Sequence, residues 1–344
     1  MQRIVESITN LPEILAEVKA NKLLIVKDTS FPFLNIRNAI EAINLPIVDF
    51  DRFTPNPLYE QVCDGVDCFN QGGCDAILAI GGGSAIDVAK CIKLFCKMNS
   101  NAIYLQQEYV ESQIPFIAIP TTAGTGSEST RNAVIYFKGA KQTVAHDCLI
   151  PNFAILEPSV LETLPLYQKK CTMMDALCQG IESWWSVNHT TESREYSKKC
   201  IELIRQNWES YIFENNLNAA RQIMIAANYG GRAISIAQTT AAHAMSYKIT
   251  SIYKLPHGHA VAVCLPEIWE FMLSQSDACI DPPFSLPYFR KMMQELELEN
   301  PVFGNKEEEL KVLCTSVNPI RLKNNPVVLR IEEITSLYQK IIKT

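Results

Sequence analysis

One carboxylate and two histidines in this sequence have the types and settings of a divalent metal site. Asp175 lies in the stretch DALCQGIES, and Gln179 follows four residues later, so a helix would project both side chains from one face. His243 lies in TTAAHAMSYKIT, and His257 lies in LPHGHAVAVCLP, at an expected helix start. Asp175, His243 and His257 would form a His₂Asp set with an open position for water or substrate, as catalytic metals require. A single histidine of this kind is more often a hydrogen-bonded core residue, so the hypothesis depends on the three acting together.

A glycine-rich turn could hold a pyrophosphate group. In DAILAIGGGSAIDVAK, Gly81, Gly82 and Gly83 join an apolar run to a helical pattern and let the backbone approach a ligand closely. The first N–H groups of the helix would attract an anion, and Ser84 is the expected N-cap, with Asp87 three residues on. The spacing matches neither GxGxxG nor the Walker loop, so a turn that only permits tight packing is an alternative.

A second turn carries hydroxyl groups. In the stretch FIAIPTTAGTGSEST, an apolar run ends at Pro120 and a turn follows. This turn is expected to expose the side chains of Thr121, Thr122, Thr125 and Ser127. Hydroxyls and free amides can bind phosphate or ribose oxygens. Two such turns, each after a strand of one parallel sheet, would place a ligand beyond the carboxyl ends of the strands. The alternative is a polar surface loop.

The elements that would position these residues divide the chain in two. In the first half, apolar runs typical of strands covered on both faces alternate with helical patterns, which predicts βαβ units and a mostly parallel, Rossmann-like sheet. The predicted strands are 23–26, 47–50, 76–80 and 116–119, and the predicted helices lie near 35–44, 58–71 and 84–97. From about Leu161 helical periodicity dominates, as in 191–213. We therefore expect an α/β domain over residues 1–160 and an all-helical domain over residues 161–344.

The composition narrows the class of protein. The chain has 344 residues, of which 47% are hydrophobic and 20% charged, which excludes disorder and allows a sizeable core. A net charge of −6 without a basic run argues against a nucleic-acid partner. Because Glu6 and Glu13 interrupt the N-terminus and no apolar run reaches about 18 residues, we expect no secretory signal, no membrane span and a cytoplasmic protein. The 12 cysteines form no CxxC pair, so most are expected to be reduced and buried.

Four motifs in this order resemble the iron-containing, or group III, alcohol dehydrogenase family, whose relatives include glycerol dehydrogenase and dehydroquinate synthase. They are GGGSAIDVAK, PTTAGTGSE, the MDAL…IE helix and HAM…PHGHAVAVCLP, and they span residues 81–266. The resemblance implies an N-terminal α/β domain that binds nicotinamide cofactor and a dehydroquinate synthase-like C-terminal helical domain that holds a divalent metal. It also implies an active site in the cleft between them.

The resemblance implies four metal-ligand positions, one of which departs from the family. The ligands would be Asp175, His243, His257 and, in place of the usual histidine, Gln179. A glutamine oxygen ligates weakly or withdraws, as in the glycerol dehydrogenase branch, so Fe²⁺, Zn²⁺ and Mn²⁺ are all compatible with the site. Alternatively, Gln179 is a helix residue hydrogen-bonded nearby.

Further residues acquire roles from the same resemblance. Asp28 stands where the family often has an acidic residue facing the adenosine ribose, which favours NAD over NADP. Lys141 matches a family lysine near the nicotinamide end, unless it is a solvated turn charge. Tyr247 stands where many members carry a histidine linked to proton transfer, and its phenol would either relay a proton or only line the pocket.

The implied chemistry is reversible hydride transfer between a nicotinamide cofactor and a short aldehyde or alcohol, with the metal polarising the aldehyde oxygen. Arg131, beside Asn132, stands where many relatives are uncharged, and a guanidinium would suit a phosphonate, sulfonate or carboxylate tail. With the stretches WWSVNHTTES and SVNPIRLKNN, this resembles the phosphonoacetaldehyde reductase subgroup, which makes 2-hydroxyethylphosphonate. A surface salt bridge is the alternative role for Arg131.

Three other functions compete with this hypothesis. They are a general short-chain alcohol or diol dehydrogenase, a dehydroquinate-synthase-like lyase that uses NAD without releasing NADH, and a metal-free binding protein. For partners, we expect a small-molecule substrate and a homodimer.

Overall fold

The computed structural model describes residues 2–275 and 284–344, and the chain divides into two compact units. The first unit comprises Met1–Leu164 and Asn215–Met224, and the second comprises Pro165–Glu214 and Ile225–Thr344. The short segment Asn215–Met224 thus groups with the first unit although it lies in the second half of the sequence. The functional division into residues 1–160 and 161–344 stays a prediction.

The first unit contains a six-stranded parallel sheet. Its strands are β1 (Arg3–Val5), β2 (Leu23–Lys27), β3 (Ile47–Phe50), β4 (Ala76–Gly81), β5 (Phe116–Pro120) and, after a hairpin described below, β8 (Phe153–Ile155). The spatial order is β1-β8-β5-β4-β2-β3, and every neighbouring pair is parallel. The predicted parallel sheet is therefore confirmed. Within this sheet, the sequence analysis did not predict β1 and β8, which are three residues long and too short to show a pattern.

Helices connect the strands of the first unit. They are α1 (Leu11–Glu17), α2 (Arg37–Glu41), α3 (Tyr59–Gly72) and α4 (Gly83–Phe95). The helix predicted near 35–44 is reduced to α2, in which only Ile40 is buried, so little packing supports a longer helix. Strands β6 (Asn132–Phe137) and β7 (Ala140–Ala145) form an antiparallel hairpin that was not predicted. Its turn is made by Lys138 and Gly139, both with positive φ.

The sheet contains a topological switch point at β2, the strand next to its β3 edge. Strand β2 lies between β3 and β4, so the chain moves from β2 to one neighbour and then returns to the other side. In open α/β sheets, ligands bind at the carboxyl ends of the strands at such a point. Asp28 directly follows β2, and Gly82 directly follows β4. The fold thus brings the predicted ribose-binding residue and the glycine turn to one edge.

The described residues after β8 form helices, as the sequence predicted. These are α5 (Leu166–Trp185), α6 (Thr191–Phe213), α7 (Leu217–Ala237), α8 (Ala241–Tyr253), α9 (His257–Gln275), α10 (Leu286–Glu295), α11 (Lys306–Thr315), α12 (Pro319–Leu322) and α13 (Ile331–Ile341). Helix α5 is buried along most of its length and packs against α6 and α9, and α8 packs against α9. Within residues 2–275 and 284–344, no helix combines the length and apolarity needed to cross a membrane.

Candidate functional site

Three side chains from three helices converge in the helical unit. Helix α5 carries Asp175, α8 carries His243 and α9 begins at His257. One donor atom from each residue lies within 4.8 Å of the donor atoms of the other two. Nε2 of His243 and Nε2 of His257 lie 3.4 Å and 3.9 Å from Oδ1 of Asp175. Ligands about 2.1 Å from one tetrahedral ion stand about 3.4 Å apart, so the three groups are spaced as ligands of a common ion would be.

Three buried atoms of this region lack hydrogen-bond partners among the described residues. They are Oδ1 of Asp175, Oε1 of Gln179 and Nε2 of His243. A buried polar atom without a partner costs about 1–3 kcal/mol, so three such atoms in one region call for a common partner. A carboxylate and imidazole nitrogens are ligands that Zn²⁺ and Fe²⁺ accept. The residues present therefore fit a divalent cation.

Glu182 orients His243, a role that the sequence analysis missed. Its carboxylate is fully buried, accepts hydrogen bonds from the N–H and hydroxyl of Thr240 at 3.1 Å and 2.7 Å, and contacts Nδ1 of His243. Because Nδ1 is engaged by Glu182, Nε2 is left to face Asp175. Glu182 stands three residues after Gln179 and seven after Asp175 on the same face of α5. The helical period therefore contained the signal.

Burial and neighbouring charge act in opposite directions on the ionisation of this cluster. Burial tends to raise the pKa of Asp175, but His243 and the charge of His257 hold that pKa below its usual value. Burial tends to lower the pKa of His243, but the carboxylates of Glu182 and Asp175 raise it to about 9. Without a metal ion, the imidazole is protonated at neutral pH and must release a proton before Nε2 can coordinate.

The start of α9 is pressed against α5. A Cβ atom at Gly258 would overlap the carbonyl oxygen of Cys171 and would lie 2.9 Å from Cβ of Asp175. Only a residue without a side chain lets the two backbones come this close, which holds His257 beside Asp175. The side chain of His257 is 38% exposed, whereas those of Asp175 and His243 are each 5% exposed. The cluster is thus accessible from the side of His257.

Two further predicted residues lie near the cluster. The ring of Tyr247 stacks on that of His257, with centroids 5.8 Å apart and planes 9° from parallel. Gln179 lies one turn after Asp175 on α5, and its Oε1 is 3.4 Å from the place where a Cβ on Gly230 would stand. Their roles in proton transfer and in metal binding stay predictions.

The glycine turn links β4 to α4, but the helix is capped differently from the prediction. Helix α4 begins at Gly83, and its N-cap is Gly82, which makes no side-chain capping bond. The predicted cap by Ser84 with Asp87 is therefore wrong. The glycine backbone provides the extended conformation of the cap by itself, and Oγ of Ser84 instead accepts a long hydrogen bond from the N–H of Asn56 at 3.4 Å.

Asp28 joins the ends of β2 and β4. The N–H of Gly82 donates to Oδ2 of Asp28 at 3.1 Å, and the N–H of Ser30 donates to its Oδ1 at 2.9 Å. Gly81 has a φ of 155°, and a Cβ there would lie 2.5 Å from Oδ2 of Asp28. The close approach of this carboxylate therefore requires glycine at residue 81.

Asp87 and Lys90 tie α4 to the second turn. Asp87 accepts from the hydroxyl of Ser127 at 2.6 Å and from a backbone N–H of β6 at 2.9 Å. The fully buried ammonium of Lys90 donates to Ser127, Thr130 and the carbonyl of Asn132 at 2.7–3.2 Å. Lys90 was missed, although a lysine inside the apolar run AIDVAKCIKLF was the available signal.

The second turn exposes fewer hydroxyls than expected. The half-buried ones belong to Thr122 and Thr125, and the buried ones belong to Thr121 and Ser127. Ser127 is buried because its hydroxyl turns inward to the bonds just described. A Cβ on Gly82 would lie 3.6 Å from Thr122, and one on Gly83 would lie 3.0 Å from Thr125. The two turns therefore face each other, with Thr122 and Thr125 beside the glycine backbone.

The remaining predicted residues belong to the hairpin region. Arg131 immediately precedes β6, Asn132 is its first residue, and Lys141 is exposed on β7. Nη1 of Arg131 lies 3.2 Å from Oδ1 of Asp147, and the arginine side chain is 45% exposed. The surface salt bridge weighed as an alternative for Arg131 is thus present. Binding of cofactor or substrate by these three residues stays a prediction.

The chain matches two family descriptions along most of its length. Residues 4–158 match the description iron-containing alcohol dehydrogenase, and residues 170–282 match the description Fe-containing alcohol dehydrogenase family, C-terminal. The chain is 33% identical over 272 residues to the NAD-dependent methanol dehydrogenase of Bacillus methanolicus. The aligned stretch covers 75% of this chain and 70% of that protein. The chain belongs to the iron-containing alcohol dehydrogenase family. The resemblance carried by the four motifs is confirmed.

A further relative and a solved structure match as well. The chain is 34% identical over 220 residues to the probable alcohol dehydrogenase EutG of Escherichia coli K12, covering 62% of this chain and 56% of that protein. The match therefore spans little more than half the length of that relative. In fold, the chain is similar to the sulfoacetaldehyde reductase of Bifidobacterium kashiwanohense solved with NAD⁺, with a TM-score of 0.89 and 24% identity over 100% of this chain and 97% of that one.

Proposed function

We propose that this protein is a metal-dependent, NAD-linked dehydrogenase that interconverts a short alcohol and its aldehyde. The observation that carries the proposal is the convergence of Asp175, His243 and His257, with unpartnered buried atoms, in a member of the iron-containing alcohol dehydrogenase family. When bound, a divalent ion would polarise the aldehyde oxygen and NADH would supply the hydride.

The helical unit orients the ligands and handles the proton in this proposal. Glu182 holds Nδ1 of His243, so that Nε2 offers its lone pair to the ion. Asp175 supplies a negative charge that is kept from solvent by burial. Tyr247, stacked on His257, relays a proton between solvent and the substrate oxygen.

The first unit binds the cofactor in this proposal, with the pyrophosphate on the glycine turn. Beside this turn is a cavity of about 470 Å³ that Asp28 helps to line, and we assign it to the adenosine. Its charged lining residues are Lys27, Asp28, Arg37, Glu41 and Asp51. Lys27 is paired with Asp49, and Arg37 with Glu41. The surplus of carboxylates would repel a 2′-phosphate, which supports NAD over NADP.

For the substrate, we propose a short aldehyde with an anionic tail, such as phosphonoacetaldehyde. Three features support this: Arg131, the stretch WWSVNHTTES and the stretch SVNPIRLKNN. Together they resemble the phosphonoacetaldehyde reductase subgroup. For the metal, we propose Fe²⁺ or Zn²⁺, which both accept a carboxylate with two imidazoles.

The test of the proposed function joins metal analysis to cofactor oxidation. Protein purified without chelator is analysed for bound metals and then mixed with NADH and either phosphonoacetaldehyde or propanal. We expect one divalent ion per chain, net consumption of NADH, loss of this activity on chelation, and its return with Fe²⁺ or Zn²⁺. Absence of both bound metal and NADH consumption would reject the proposal. Substrate turnover that requires the cofactor but causes no net change in NADH would favour a lyase.

A further inference from the structure

The segment 318–325, within the stretch SVNPIRLKNN, lies against the loop that leads into α8. Nδ2 of Asn324 donates to the carbonyl of Thr239 at 3.0 Å and to Oε1 of Gln238 at 3.3 Å. Nη1 of Arg321 donates to the same oxygen of Gln238 at 3.4 Å. The guanidinium of Arg321 is therefore held at the start of α8.

The loop contacted by Arg321 continues directly into the metal-ligand cluster. Two residues after Gln238 comes Thr240, which donates twice to Glu182, and Glu182 in turn contacts His243. The short helix α12, which contains Arg321, packs against α8. Arg321 thus contacts the entry to the helix that carries one ligand of the cluster.

The same segment also contacts the residues that follow α5. The N–H of Val187 donates to the carbonyl of Asn324 at 3.0 Å, and Nδ2 of Asn188 donates to Oδ1 of Asn324 at 2.9 Å. Because α5 carries Asp175, the segment is bonded to residues that flank two of the three helices of the cluster. Its geometry relative to the cluster is therefore set by hydrogen bonds on both sides.

The charge of Arg321 is not neutralised within the described residues 2–275 and 284–344. Its hydrogen bond goes to a neutral amide, and no carboxylate oxygen of these residues lies within ion-pair distance of it. By contrast, Arg131 is paired with Asp147, and Arg290 is paired with Glu267 and Glu270. A half-buried guanidinium has five N–H donors in a planar fork, which matches the oxygens of a phosphonate, sulfonate or carboxylate.

We propose that Arg321 binds the anionic tail of the substrate and is a specificity-determining residue. This inference rests on the proposed function, since it assumes an aldehyde that is bound at the cluster. The helical unit would then distinguish anionic from uncharged aldehydes. The positive charge that pairs with the anionic tail would come from Arg321 and not from Arg131, which is in a salt bridge.

The test measures kcat/KM with NADH for phosphonoacetaldehyde and for propanal in three variants. For Arg321→Ala, we expect the ratio of the two values to fall about a hundredfold through a higher KM for phosphonoacetaldehyde, since charged hydrogen bonds are lost. Arg321→Lys should restore part of the ratio, because the charge returns without the planar fork. The matched control is Lys323→Ala, which removes an exposed charge from the same segment and should leave the ratio unchanged.

Two further results would overturn the assignment of Arg321. An equal loss on both aldehydes, with an unchanged circular dichroism spectrum, would mean that Arg321 only supports the loop before α8. A fall of the ratio in Arg131→Ala but not in Arg321→Ala would give the role to Arg131.

Direct binding separates this inference from the proposed function. Calorimetry measures the affinity of 2-hydroxyethylphosphonate for the metal-loaded wild type and for Arg321→Ala, without turnover. Suppose that the wild type oxidises NADH with propanal. If Arg321→Ala then binds the anion as tightly as the wild type, or if neither protein binds it, the Arg321 inference fails and the proposed function stands. If neither aldehyde consumes NADH but anion binding depends on Arg321, the proposed function fails, and Arg321 is left as an anion-binding residue with no role in aldehyde specificity.

Discussion

The glycine turn and the cluster of Asp175, His243 and His257 differ in how they satisfy their polar groups. Around the turn, Asp28, Asp87 and Lys90 all have partners within the protein. In the cluster, Asp175 and His243 each bury an atom that has no partner among the described residues. The partners of the turn residues all lie within the protein, whereas a divalent ion would supply the partner that the buried atoms of the cluster lack. Each prediction below tests one side of this difference.

The largest effect is expected from Asp175→Ala. Loss of the carboxylate removes a proposed ligand and a negative charge that faces both imidazoles. Bound metal should therefore be lost, and kcat/KM should fall about a thousandfold. Elemental analysis and NADH oxidation measure the two effects. Glu209→Ala, an exposed carboxylate on α6, is the charge-matched control. A variant that keeps its metal would contradict the ligand assignment.

The pH dependence of metal affinity should be almost as large. Because the pKa of His243 is raised to about 9, a metal ion must displace its proton below that pH. One released proton makes affinity rise about tenfold per pH unit from pH 7 upward, and the rise should level off near pH 9. Competition against a chelator of known affinity at each pH measures this slope. A flat profile between pH 7 and 9 would show that His243 is already neutral.

A smaller loss is expected from Glu182→Gln. The amide keeps the shape of the carboxylate but weakens its hold on Nδ1 of His243, so metal affinity should fall about 10–100-fold. It also removes a charge that raises the pKa of His243, so the pH profile should level off at lower pH than in wild type. Unchanged affinity with an unchanged profile would mean that Glu182 only stabilises the fold.

The smallest effect is expected from Gly82→Ala in the glycine turn. The nearest atoms to the added methyl are 3.6 Å away, so the free energy of unfolding should change by about 1 kcal/mol or less. The methyl would stand where a pyrophosphate approaches, so KM for NADH should rise about tenfold with metal content unchanged. Steady-state kinetics and thermal unfolding measure both. An unchanged KM for NADH would show that the cofactor does not bind at this turn.

The sequence predicted the elements that have long and regular patterns. Strands β2 to β5 and helix α6 appear where apolar runs or helical periods were present, and the parallel sheet follows from their alternation. Strand β7 is mostly exposed and strands β1 and β8 are three residues long, so they give no comparable signal. Strand β6 was missed although its sequence NAVIYF contains an apolar run. Capping of α4 was mispredicted because a glycine backbone can supply the cap conformation without a side chain.

The candidate site was predictable only where residue type alone indicates chemistry. Asp175, His243 and His257 were found because carboxylates and imidazoles are metal ligands, and their convergence is a property of the tertiary fold. Helical periodicity could place Glu182 on the face of Asp175, and the apolar run could mark Lys90 as buried. Their partners, such as Thr240 and Thr130, are far away in sequence, and no sequence pattern identifies them. The position of Arg321 likewise depends on tertiary hydrogen bonds.

The buried carboxylates of Asp175 and Glu182 have a consequence for electroneutrality. Together they carry two negative charges, and once both imidazoles are neutral, as coordination requires, these charges balance one divalent cation. A loaded cluster of this kind has no net charge, whereas a monovalent or trivalent ion would leave an imbalance in a region of low dielectric constant. An aldehyde with an anionic tail gains no long-range attraction from such a neutral centre, so its binding depends on a separate positive group.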